Sequence, residues 1–204
     1  MDSLFKYNEH IYIDSDELKH KFAQILNLIN HKYNNDDLSD KYIIAFKEDM
    51  SLKVFVLQNC VLRICEKNIF ESKHKYIYEK IIKLNSPYLE QIYEIFDVDK
   101  YVIIVSKKII PVNTNNKWNI KISEETLIKL WDQIIELINF LYINNATHDD
   151  LMLDNIGYDI ETNNFVAFDF DKFTIHSTSD TINKNVIIDY FKKSFSYNFK
   201  HCSY

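Results

Sequence analysis

Residues 147–171 read THDDLMLDNIGYDIETNNFVAFDFD. His148, Asp150 and Asn155 fall close enough in sequence to share one loop. The apolar run FVAF then leads into Asp169 and Asp171, so a pair of carboxylates ends a segment predicted to be a short strand over NFVAFDFD. Residues in this order could belong to an enzyme, to the shell of a former enzyme or to an acidic loop without function, and the neighbouring sequence bears on which scaffold presents them.

Upstream, Ser123 is placed to cap a long helix, EETLIKLWDQIIELINFLYINN, whose first turn carries acidic residues that suit the positive end of its dipole. Leu127, Leu130, Trp131, Ile134, Ile138 and Leu141 recur at helical spacing and predict its buried stripe. Before it lie five strand-like runs: KYIIAF (41–46), LKVFVLQ (52–58), CVLRICEK (60–67), YLEQIYEIFD and KYVIIVSKKI. Between the third and fourth, FESKHKYIYEKIIKLN (70–85) has the apolar spacing of a helix, with Pro87 to stop it. An N-terminal helix is predicted over 14–33 with Leu18, Phe22, Ile25, Leu26 and Ile29 on one face, Asp14 or Ser15 as cap and Glu17 completing a capping box. That face is expected to pack against the strands. A last helix is predicted over 180–195.

The stretch 147–171 resembles the catalytic core of the protein-kinase-like fold, in which His-x-Asp is followed five residues later by a metal-binding Asn, and a short hairpin leads to Asp-Phe-Gly. His148, Asp150 and Asn155 match the first motif; Asp169 and Phe170 match the second. The upstream order of five strands with one helix after the third, then a long helix into the loop, is similar too, so the resemblance spans about residues 41–175. It implies a two-lobed α+β fold: a helical extension over 1–40, an N-lobe over 41–106 built on a five-stranded antiparallel sheet with one helix, and a truncated helical C-lobe over 107–204.

The resemblance also implies roles. Asp150 would accept the proton of an attacking hydroxyl, assisted by Asn155, while Asn155 and Asp169 would hold magnesium. Arg63, Lys67, Glu79, Ser106 and Asp169 would contact ATP, with Glu71 as the other candidate partner of the cation, and His148 would brace backbone beside the metal site. The implied activity is ATP- and magnesium-dependent transfer of a γ-phosphate to a hydroxyl-bearing acceptor. The alternative is an inactive or weak pseudokinase that works as an interaction or inhibitor module by mimicking a kinase.

Departures from the family pattern are specific. The first hairpin turn, FKEDMS, has no glycine, so backbone amides approach phosphates less closely there. Arg63 stands where the third strand carries Lys, a cation of different shape; taken by itself, it reads as an edge-strand charge. Asp149 replaces the Arg of the His-Arg-Asp triplet, Met152 stands two after Asp150 where protein kinases keep Lys, and Asp171 replaces the glycine of Asp-Phe-Gly. Few residues follow Asp171, too few for the usual peptide-binding helices; a chain so trimmed is what a virus or other compact genome would encode. His148-Asp149 also spells the adjacent pair of metal-dependent phosphohydrolases, but the further ligands of that site are not evident.

Bulk composition sets the remaining bounds. The 204 residues are 47% hydrophobic and 15% aromatic, enough to bury a core. A net charge of −6 argues against a phosphate-backbone binder, so no nucleic-acid partner is expected. Apolar runs are interrupted before membrane-spanning length, and MDSLFKYNEHIYID lacks a basic segment followed by an apolar core, so neither a membrane partner nor a secretory leader is expected. Cys60, Cys65 and Cys202 form no disulfide or zinc pattern, which suits reduced thiols in an intracellular, cytoplasmic protein. Gly157 is the one glycine of the chain; turns must therefore be built from Asn and Asp.

Overall fold

The structure is a computed structural model, and it describes residues 16–33, 52–114, 117–177 and 183–201. In chain order these form α1 (Asp16–Tyr33), β1 (Leu52–Val56), β2 (Cys60–Glu66), the single turn α2 (Lys67–Ile69), a π-helical turn (Phe70–His74), α3 (Lys75–Leu84), β3 (Ile92–Val98) and β4 (Tyr101–Lys107). There follow the short strands β5 (Ile110–Pro111), β6 (Asn113–Thr114) and β7 (Lys117–Trp118), then α4 (Glu124–Ile143), β8 (Ala146–His148), a 3-10 turn (Leu153–Asn155), β9 (Ile156–Asp159), β10 (Asn164–Ala167), a second 3-10 turn (Phe170–Lys172), β11 (Phe173–Ile175) and α5 (Lys184–His201). The class is α+β. The chain divides into two compact units, Met1–Ser72 with Tyr93–Lys108, and Lys73–Ile92 with Ile109–Tyr204.

The first unit is a sheet in the order β1-β2-β4-β3. β2 lies antiparallel to β1 and β4, with Leu52 opposite Cys65 on one side and Cys60 opposite Lys107 on the other. Alternation along a strand sends successive side chains to opposite faces. On one face Cys60, Leu62 and Ile64 join Ile103 and Val105 in a core that Leu26 and Ile29 of α1 complete, as the amphipathic spacing of that helix predicts. The same alternation puts Val61, Arg63 and Cys65 on the other face. The predicted strand 41–46, the fifth of the sheet, lies outside the described residues, as do the cap of α1 and Cys202.

In the second unit α4 supplies the floor. Its cap is the predicted one: Ser123 Oγ accepts from the Thr126 amide at 3.1 Å. Leu130, Ile134, Leu137, Ile138 and Leu141 are buried, and Trp131 packs on Phe191 and Phe195 of α5 at ring-centroid distances of 5.7 and 5.9 Å. The helix predicted over 70–85 is interrupted. A π-helical turn over Phe70–His74 precedes the regular helix, and Ile82, placed on the apolar face by its spacing, is 45% exposed. α3 ends at Asn85 in the left-handed region, two residues before Pro87. This helix, assigned by sequence to the N-lobe, falls in the second unit and packs on β11.

Every described residue with positive φ is Asn or Asp: Asn85, Asp99, Asn145, Asn163 and Asp169. Gly157 is not among them. It lies in β9, where a β-carbon would run into the Ile109 side chain, so the lone glycine serves close packing rather than a turn.

Candidate functional site

The stretch 147–171 folds as two crossing connections, each pinned by backbone. β8 pairs antiparallel with β11, His148 opposite Phe173, and the Asp149 amide donates to the Lys172 carbonyl at 2.9 Å. After the turn at Asp149–Asp150 the chain passes through Leu153–Asn155 into β9, which forms a hairpin with β10, Ile156 opposite Ala167. The predicted strand over NFVAFDFD therefore stops at Ala167; Phe168 to Phe170 leave the ladder and turn.

Phe168 is the point where the two connections lock. Its amide donates to the Asn155 carbonyl at 3.0 Å, and its carbonyl accepts from His148 Nε2 at 2.9 Å. Asn155 in turn donates from Nδ2 to the Asp150 carbonyl at 2.8 Å, closing the five-residue span between them. One chain of hydrogen bonds thus links Asp150, Asn155, Phe168 and His148, with Asp169 next along the backbone. Asp169 is exposed and sits in the left-handed region at φ 62°, ψ 74°, a conformation that carboxylate and carboxamide residues tolerate better than other side chains with a β-carbon.

His148 bonds backbone at the Phe168 carbonyl. It is 2% exposed, donates from Nε2 and leaves Nδ1 without a partner among the described residues. Burial pushes its pKa below the ordinary 6.5, against the opposing pull of the Phe168 carbonyl and of Asp169, Asp150 and Asp149. The unfolded chain takes up a proton at this residue near pH 6.5, and the folded chain resists until lower pH. The stability it contributes is therefore complete above about pH 6.5 and shrinks below it, by at most about 1.4 kcal/mol per pH unit. Urea midpoints measured between pH 7.5 and 5.5 are expected to fall more for the wild type than for His148→Gln; parallel slopes would contradict a buried neutral imidazole.

Asp150 keeps 24% of its side chain exposed and pairs through Oδ2 with Lys172 Nζ at 3.2 Å. Asp149, which stands where the family motif carries Arg, accepts from Thr174 Oγ1 at 2.5 Å. That contact and the burial of His148 give the pair His148-Asp149 no open ligand set of the phosphohydrolase kind. Sequence spacing carries no signal for Lys172 or Thr174, because both reach the loop only through the β8–β11 pairing. Among the described residues no cluster of three or more His, Cys, Asp or Glu could hold a metal.

The remaining sequence candidates lie on other elements. Arg63 is not an edge-strand charge: β2 is flanked by β1 and β4, and the side chain is 7% exposed with Nη1 donating to Ser106 Oγ at 2.7 Å. The cause is register. Val61 lies opposite Ser106, so Ser106 and Arg63 are diagonal neighbours on one face of the sheet. Lys67 opens α2, and its ammonium is taken by Asp97. Glu79 is exposed on α3, and Glu71 is exposed in the π-helical turn. Phe170, the aromatic of the second motif, is buried among Tyr78, His148 and Phe173. Among the described residues no helix is long and apolar enough to cross a membrane.

No family model matches the sequence, and no curated protein matches it. Among solved structures the chain is similar to that of the Cydia pomonella granulovirus kinase PK-1, with a TM-score of 0.49 and 16% sequence identity, over 67% of this chain and 55% of that one. The chain spans little more than half of that protein's length.

Proposed function

We propose that the protein is a phosphotransferase of the kinase type that moves the γ-phosphate of ATP to a hydroxyl acceptor. The observation that carries this reading is the lock at Phe168, which joins the two motifs through backbone and leaves Asp150, Asn155 and Asp169 in one loop pair. Asp150 would orient the acceptor hydroxyl. As the acceptor oxygen bonds to the γ-phosphorus, the bond from that phosphorus to the β,γ-bridging oxygen breaks; the hydroxyl proton passes to the Asp150 carboxylate and ADP leaves with the electron pair. Arg63, Lys67, Glu79 and Ser106 remain candidates for the nucleotide's other contacts.

The donor set fits magnesium. Asn155 has its amide nitrogen committed to Asp150, so its oxygen is what it can offer a cation, and Asp169 is an exposed carboxylate. Two hard oxygen ligands, with phosphates and water for the rest, are what this ion prefers. When bound, magnesium neutralises charge on the phosphate oxygens.

The glycine-free turn FKEDMS favours a second reading, an inactive kinase-like module that binds a protein partner. Thermal unfolding with ATP, with and without magnesium, separates the two. At a hundredfold excess over Kd a ligand adds about 2.7 kcal/mol of stability, which for a chain of this size raises the midpoint by roughly 5–11 °C. The wild type is expected to show a magnesium-dependent rise and Asp169→Asn to lose it. No rise in either protein would leave the binding module.

A further inference from the structure

We propose that Lys172 is the cation of the transfer step, sharing its ammonium between the Asp150 carboxylate and the terminal phosphate of the nucleotide. This rests on the phosphotransferase reading above and names a residue which that reading does not use. Phosphoryl transfer brings a polyanion up to a carboxylate, and a compensating positive charge aimed at that spot stabilises the charge that develops there.

Such charge is scarce among the described residues bonded to this loop's carboxylates. Asp149 is answered by the Thr174 hydroxyl and Asp154 by the Asn113 amide, both neutral, while Met152 offers none. Among the described side chains bonded to Asp149, Asp150 or Asp154, Lys172 alone carries a permanent positive charge.

Its placement does not depend on its own side chain. The Lys172 carbonyl accepts from the Asp149 amide, and Phe173 pairs with His148, so any residue at 172 starts its side chain beside the Asp149–Asp150 turn. An ammonium has three donors. One lies 3.2 Å from Asp150 Oδ2, and the side chain is 65% exposed, so the others are open to a ligand. A lysine whose backbone is fixed and whose head is exposed can move between carboxylate and phosphate without disturbing the loop.

The test compares Lys172→Met and Lys172→Arg with the wild type, measuring Kd for ATP and for ADP by titration in magnesium, with the nucleotide-free thermal midpoint as control. The wild type is expected to bind ATP more tightly than ADP. Lys172→Met should lose that preference by at least tenfold, hold its ADP affinity within about twofold and keep its midpoint; Lys172→Arg should retain most of the preference. A residue that only props the loop would weaken both nucleotides alike and lower the midpoint, which would overturn the assignment. So would a Lys172→Met protein that discriminates as the wild type does, or a wild type that binds both nucleotides equally, and either result leaves the phosphotransferase reading standing. A wild type that binds neither nucleotide removes that reading and this assignment together.

Discussion

Replacing Asp150 by Ala is expected to slow ATP-dependent phosphoryl transfer by about 10²–10⁴-fold, the span a positioned proton acceptor contributes, while the thermal midpoint moves by a few degrees at most. The two effects should separate because the loop is held by the Asp150 backbone, whereas the proposed proton transfer would use its side chain. The carbonyl that receives the Asn155 amide survives truncation at Cβ. What is lost is a partly exposed ion pair with Lys172, and such pairs contribute about 0–1 kcal/mol. Magnesium-dependent stabilisation by ATP should persist in Asp150→Ala, in contrast to Asp169→Asn. The assay is initial-rate release or transfer of the γ-phosphate, with water as acceptor until another is found. A variant that turns over at the wild-type rate would remove Asp150 from the reaction.

The second large effect falls on the fold. Phe170→Ala is expected to cost about 3–5 kcal/mol, which for a chain of this size lowers the midpoint by roughly 6–20 °C. Phe170 is 2% exposed and meets Phe173 and Tyr78 edge-on at ring-centroid distances of 5.8 and 6.2 Å, with the His148 ring at 6.0 Å. Truncation opens a cavity where α3, β8 and β11 converge, beside both His148 and Asp169. Nucleotide binding should therefore weaken along with stability. Calorimetric melts check the first part, and a loss below about 1 kcal/mol would show that the cluster relaxes around the gap.

What is legible in the sequence follows the range of the interactions concerned. Ser123 and the stripe from Leu130 to Leu141 are local, and α4 forms as its spacing predicts. Turn chemistry is legible for the same reason: with one glycine available, left-handed positions fall to Asn and Asp. His148, Asp150, Asn155 and Asp169 stand out by spacing, but spacing does not say what joins them, and the backbone of Phe168 has no sequence signature. The π-helical turn before α3 escapes because Tyr78, Ile81 and Ile82 report only on the residues after it. Arg63 reads wrongly for want of register: a charge on one strand says nothing about the strands beside it. Lys172 is invisible because its meeting with Asp150 depends on a pairing between strands far apart in the chain.

The left-handed backbone at Asp169 limits what can replace it. A β-branched or bulky residue there would add backbone strain of order 1–3 kcal/mol, whereas Asn keeps the conformation and changes one oxygen to nitrogen, and Gly keeps it with no side chain at all. If the proposed reaction is right, drift away from it has two exits at this position that the backbone accepts without strain, Asn and Gly. Among future relatives of this chain, the residue at position 169 is the one to read first: if the proposed reaction is right, descendants that have kept the fold and lost that reaction should gather at those two residues.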